Sequence, residues 1–109
     1  MSDIQTQIKE TVEGSDVVLY MKGTAQFPQC GFSAAVVQVL SEYKVPFTDV
    51  NILADQEKWA ALKTFSDWPT MPQIYISGEF IGGCDIVTEM FQSGELEPLI
   101  KEAAETAES

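Results

Sequence analysis

The sequence predicts an α/β fold, a four-stranded mixed sheet flanked by about five helices. Three observations lead there. Asp16-Val17-Val18-Leu19-Tyr20-Met21 is a nearly continuous apolar run, as in a strand buried on both faces. Segments with apolar residues at helical spacing alternate with short β-rich runs. Two of those runs flank Gly78, which reads as a hairpin. With 109 residues, the chain is expected to be a single domain over residues 1–109, long enough to bury a real core.

Taken in order, Ile4, Ile8 and Val12 recur every four residues and give a first helix with one buried stripe, ended by Glu13-Gly14-Ser15. The apolar run at 16–21 follows. Lys22-Gly23-Thr24-Ala25-Gln26-Phe27-Pro28 is a loop. Residues 34–43 carry Val36, Val37, Val39, Leu40 and Tyr43 at helical spacing, and Lys44-Val45-Pro46 stops that helix. Phe47-Thr48-Asp49-Val50-Asn51 is a short alternating strand. Residues 55–67 read as a third helix with Trp59, Leu62 and Phe65 inward. Trp68-Pro69-Thr70-Met71-Pro72 is a stiff loop, because each proline also restricts the residue before it. Residues 73–77 and 80–81 pair around a Gly78-Glu79 turn. A helix with Ile86, Val87, Met90 and Phe91 follows, closed by Gly94, and Leu96, Leu99, Ile100 and Ala103 mark the last. The strand–helix–strand half and the hairpin half give a mixed sheet with helices over both faces.

Composition excludes several functions. The formal charge of −11 leaves no basic surface for nucleic acid or anionic membranes. Glu95, Glu97, Glu102, Glu105 and Glu108 concentrate acid near the C-terminus, where a solvated helix face and a frayed tail are expected. No apolar stretch approaches the roughly 18 residues of a membrane span, and the polar start at Met1-Ser2-Asp3 does not read as a signal peptide. Two cysteines are too few for a secreted disulfide scaffold, so the expected compartment is the cytoplasm, or an organelle matrix if an upstream targeting segment was removed. The chain has no histidine, which removes Ser-His-Asp and Cys-His catalysis and histidine-based metal sites.

The chemistry gathers around Cys30-Gly31-Phe32-Ser33. A dithiol redox motif has its second cysteine where Ser33 stands, so the short-range disulfide cannot form. A cysteine at a helix start is stabilised as thiolate by the helix dipole and unpaired N–H groups, and Lys22 adds to this if it comes close. Gly31 and Pro28 suit exposed backbone rather than a buried, inert thiol. Met71-Pro72 precedes the third strand. Read from the residues alone its bond is trans; a cis bond would turn the Met71 main chain toward an extended peptide-like ligand. Gly82-Gly83-Cys84-Asp85 at a helix start is a carboxylate-binding nest, compatible with Asp85 acting as the N-cap.

The set Lys22, Cys30-Gly31-Phe32-Ser33, Trp68-Pro69-Thr70-Met71-Pro72 and Gly82-Gly83-Cys84-Asp85 resembles the monothiol glutaredoxins of the CGFS type, from about residue 4 to residue 101. The resemblance implies a thioredoxin-like fold and a cis bond before Pro72. It implies glutathione held by Lys22, the Met71 backbone beside Pro72, and Gly83, Cys84 and Asp85. It implies a 2Fe-2S cluster bound through Cys30 between two subunits, with weak or absent disulfide-reducing activity. It permits partnership with a BolA-like protein and with apo iron–sulfur recipients. Where family members carry an arginine in the third helix stands Trp59, with Lys58 beside it and Lys63 four residues on. An indole N–H donates one hydrogen bond but brings no charge.

The thiolate count agrees with that implication. A 2Fe-2S cluster takes four thiolates. Two chains and two glutathiones supply four. The alternative is a glutathione-dependent thiol oxidoreductase that resolves mixed disulfides through the same Cys30.

Overall fold

The computed structural model describes residues 3–44 and 46–108, with side chains to Ala103. Met1, Ser2, the expected helix stop at Val45, Ser109 and the side chains of Glu105 and Glu108 lie outside the described residues.

Helix α1 spans Ile4–Gly14 and begins where the Asp3 carboxylate accepts the Thr6 N–H at 2.8 Å. It buries Ile8 and Val12. Strand β1, Val17–Met21, is buried at every position. Helix α2 spans Gly31–Glu42, three residues earlier than the apolar spacing indicated. Its first turn carries glycine, an exposed phenylalanine and serine, which leave no apolar stripe to read. Strand β2, Thr48–Asn51, does not alternate. It is an edge strand with its first two residues exposed, so no face is fully covered. A 3-10 turn at Ile52–Ala54 leads to α3, Gln56–Ser66. Asp55 caps α3 by accepting the Lys58 N–H at 3.0 Å, and Asp67 ends it in the left-handed region.

Strands β3, Gln73–Ile76, and β4, Glu79–Gly82, form the expected hairpin. The turn sits one residue earlier than read, at Ser77-Gly78, both with positive φ (53° and 82°). That is the pattern of a two-residue turn whose twist matches the strands. Helix α4 spans Cys84–Ser93 and stops at Gly94, φ 85°. Helix α5 spans Leu96–Glu108 and buries Leu96, Ile100 and Ala103. No helix among the described residues is long and apolar enough to cross a membrane.

The sheet order is β2-β1-β3-β4, parallel between β1 and β2 and antiparallel elsewhere. Side chains alternate across it. Val17, Leu19 and Met21 with Ile74 and Ile76 pack under α2, α4 and α5. Val18, Tyr20 and Tyr75 face the other way, with Ile8, Val12 and Leu62 of α1 and α3. Two central strands covered on both faces explain the unbroken apolar run of β1. The Met71–Pro72 bond is cis, so the trans reading is corrected. The trans preference before proline is only about 0.5–1 kcal/mol, small enough for local packing to decide. That packing includes the buried Gln73 amide, which donates to the Trp68 and Thr70 carbonyls at 3.0 and 3.2 Å.

Candidate functional site

The site lies beyond the end of β1. Past Lys22 the chain turns back on itself: the Gln29 N–H donates to the Lys22 carbonyl at 2.9 Å, and Thr24 and Phe27 exchange main-chain hydrogen bonds. Two side chains near the end of β2 hold this loop. Asn51 accepts the Gly23 N–H at 3.0 Å and Asp49 accepts the Ala25 N–H at 2.8 Å. The loop thereby delivers Cys30 to the N-cap of α2. No main-chain N–H closes a full cap hydrogen bond on its sulfur. The Ser33 N–H nonetheless lowers the thiol pKa; burial opposes it as the next largest effect, and the Phe32 N–H, the Lys22 charge and the Ser33 hydroxyl add smaller lowering effects. The thiol is partly exposed and free of any disulfide.

A cavity of about 400 Å³ opens beside Cys30. The structure brings Lys22, Cys30, Trp59, Met71, Gly83, Cys84 and Asp85 together on its wall. Pro72 is buried behind that wall, with its carbonyl 3.1 Å from where a side chain on Gly83 would begin. Gly83 is the N-cap of α4, so Asp85 is not the cap. It sits in the first helical turn, where its charge complements the dipole. Cys84 is partly buried, with its sulfur 3.9 Å from the Thr88 hydroxyl.

At the α3 wall the Lys22 ammonium lies 5.2 Å from the centre of the Trp59 ring, and the Lys63 ammonium 5.4 Å. The cationic ground that Trp59 cannot supply itself is thus gathered over its ring, by Lys63 rather than Lys58. The indole N–H groups of Trp59 and Trp68 are buried without a protein acceptor, and both residues line the cavity. Sequence reading missed Phe32, Trp68 and Thr70 on this wall, as well as the role of Lys63. The four-residue spacing of Trp59 and Lys63 on one helix face was the usable signal for the last.

A family model described as Glutaredoxin matches residues 17–81, more than half of the chain. A probable monothiol glutaredoxin 2 of Rickettsia typhi is 52% identical, over 87% of this chain and 86% of its own. The mitochondrial monothiol glutaredoxin-5 of Saccharomyces cerevisiae is 47% identical, over 94% of this chain and 70% of its own. The chain belongs to the monothiol glutaredoxin family. The solution structure of reduced poplar apo GrxS14 superimposes with a TM-score of 0.81 at 50% identity, covering 92% of each chain. The thioredoxin-like α/β fold expected from the resemblance is therefore shown. In this monothiol glutaredoxin the residue replacing a second cysteine is no idle remnant. Ser33 is fully buried and accepts the Lys22 N–H at 3.1 Å.

Proposed function

We propose that this protein binds glutathione in the cavity and, as a pair of chains, carries a 2Fe-2S cluster for delivery to apo-proteins. The observation that carries the reading is the partly exposed Cys30 thiol, drawn toward its thiolate at a helix start, with a buried serine where a dithiol site has its second sulfur.

The residues suit the ligand. Glutathione has carboxylates at both ends and a thiol between them. The Lys22 and Lys63 ammonium groups around Trp59 would take one end. The N-terminus of α4 at Gly83-Cys84-Asp85 would take the other. The Met71 main chain between them would pair with the peptide and set the thiol beside Cys30. The residues also suit the cluster. Among the described residues no three His, Cys, Asp or Glu side chains converge on a metal-sized site. Cys30 from two chains and two glutathione thiols would make up the four thiolates that such a cluster takes. Ligands that dissociate make such a cluster transferable cargo. A reducing compartment such as the cytoplasm suits a site that depends on Cys30 staying a thiol.

The same thiolate supports a second activity. Cys30 attacks the glutathione sulfur of a mixed disulfide, the protein thiolate leaves, and a Cys30–glutathione disulfide forms. A second glutathione thiolate then reduces Cys30 and departs as oxidised glutathione.

Anaerobic reconstitution with iron, sulfide and glutathione distinguishes the readings. We expect a coloured dimer with about two irons per pair of chains, lost in Cys30→Ser and kept in Cys84→Ser. A colourless monomer that still turns over mixed disulfides would leave the oxidoreductase alone standing.

A further inference from the structure

Ser33 lies outside the cavity wall and is wholly buried, so a ligand there does not touch it, and its hydroxyl favours the Cys30 thiolate less than its N–H does. Its Oγ nevertheless accepts the N–H of Lys22 at 3.1 Å. This bond crosses between two elements. Ser33 belongs to the first turn of α2, which carries Cys30, and Lys22 follows the end of β1. The next amide, Gly23 N–H, goes to Asn51 Oδ1 at 3.0 Å, and the Lys22 carbonyl takes the Gln29 N–H at 2.9 Å. The Lys22 main chain is therefore held at both its N–H and its C=O, while its ammonium rests against the Trp59 ring. Lysine is a flexible point charge with about 2 kcal/mol of rotamer entropy to lose. Fixing its root narrows where that charge can go.

We propose that Ser33 is a positioning residue. By accepting the Lys22 N–H, its hydroxyl oxygen fixes the Lys22 cation relative to Cys30, so that both meet one ligand together. The proposal rests on the reading that the cavity takes glutathione. It gives the cysteine-to-serine difference a second meaning. Sulfur is a weak acceptor, so a cysteine at 33 restores a dithiol spacing but loosens the anchor of the cation. An alanine leaves the Lys22 N–H without its acceptor.

The test is a double-mutant cycle read by calorimetric titration of reduced glutathione into the reduced full-length protein. Ser33→Ala and Ser33→Cys are each made with Lys22 intact and in Lys22→Ala. With Lys22 intact, both substitutions should weaken binding by about three- to tenfold, the size of one lost hydrogen bond. In Lys22→Ala the same substitutions should change affinity by less than about twofold, because no cation remains to be placed. A merely structural role would lower thermal stability and leave this dependence on Lys22 absent. Equal losses in both backgrounds, or no loss in either, would overturn the proposal. If Ser33→Ala does not fold, Ser33→Cys, of nearly the same size, decides alone. A wild-type protein that binds no glutathione overturns the functional reading as well; one that binds normally without Ser33 dependence overturns only this inference.

Discussion

Replacing Gly23 by alanine asks whether the loop ahead of Cys30 is as closely determined as its hydrogen bonds indicate. Gly23 has φ 91°, and a left-handed conformation costs an L-residue about 1–2 kcal/mol. The added Cβ would also fall 2.5 Å from the Phe27 carbonyl oxygen and 2.7 Å from the Gln29 nitrogen. Both are main-chain atoms, so no side chain can swing aside. Relief needs the two arms of the loop to part by about 1 Å to reach ordinary contact. That breaks the Gln29 N–H bond to the Lys22 carbonyl and strains the Thr24–Phe27 pair, each worth about 1 kcal/mol net.

Together these effects come to about 2–4 kcal/mol. In a domain of this size each kcal/mol moves Tm by about 4–8 °C. Gly23→Ala should therefore melt about 10–25 °C below wild type, followed by circular dichroism on the reduced protein. Gly31 supplies the internal control on the other side of Cys30. It has no positive φ, and nothing lies within 4 Å of its added Cβ. Gly31→Ala should be neutral or stabilising by up to about 1 kcal/mol through the unfolded chain. A Gly23→Ala protein melting within about 3 °C of wild type, or a larger loss at Gly31, would refute the reasoning.

Three further outcomes follow from the site and the core. The alkylation rate of Cys30 against pH should have a midpoint below the roughly 8.5 of a free thiol, because the Ser33 N–H, then Phe32 N–H and Lys22, favour its thiolate. The sign for stability is that Cys30 contributes nothing below its folded pKa and contributes fully above the unfolded one. Tyr20 and Tyr75 are pushed up by burial to about 12 from 10.0. Their contribution is intact below about pH 10 and lost as pH climbs toward 12. Tyrosinate absorbance should thus lag behind that of free tyrosine and rise with unfolding. Lys22→Ala and Lys63→Ala should each weaken glutathione binding several-fold, whereas Lys58→Ala should stay within about twofold. A larger effect at Lys58 would misplace the cationic end of the site.

Local chemistry made most of the architecture legible. β1 could be read because a strand covered on both faces needs apolar residues throughout, and Val17–Met21 are all buried. The bounds of α3 could be read at 55–67, and the two residues there, Asp55 and Asp67, are its caps. The start of α2 could be read from the Cys30 motif but not from apolar spacing, because its first turn is anchored by a loop and a buried serine rather than by an apolar stripe. Within the site, Cys30, Lys22, Met71 and Cys84-Asp85 stood out from motif spacing, and they share one wall. Trp68 and Lys63 were named from the sequence without a role in the site. A tryptophan in a proline-rich loop reads as stiffness, and only the fold shows its N–H buried without an acceptor. Lys63 matters through a ring four residues away, a contact that single-residue reading discards.

A chain of net charge −11 must place its six basic residues, all lysines, with care if it is to take glutathione as proposed. Two of the six lie over one indole. An arginine at position 59 would offer a planar fork able to grip a carboxylate at two points. Two ammonium groups on an aromatic plate offer comparable charge without that directionality. The direction must come from elsewhere. For Lys22 it comes from the main chain, held by Ser33, Asn51 and the Gln29 amide. For Lys63 it comes from the rigidity of α3, whose Leu62 is sunk in the core beside it. Trp59 and Ser33 are in this sense two halves of one arrangement: the indole gathers the charge, and the serine fixes the root of the side chain that brings half of it.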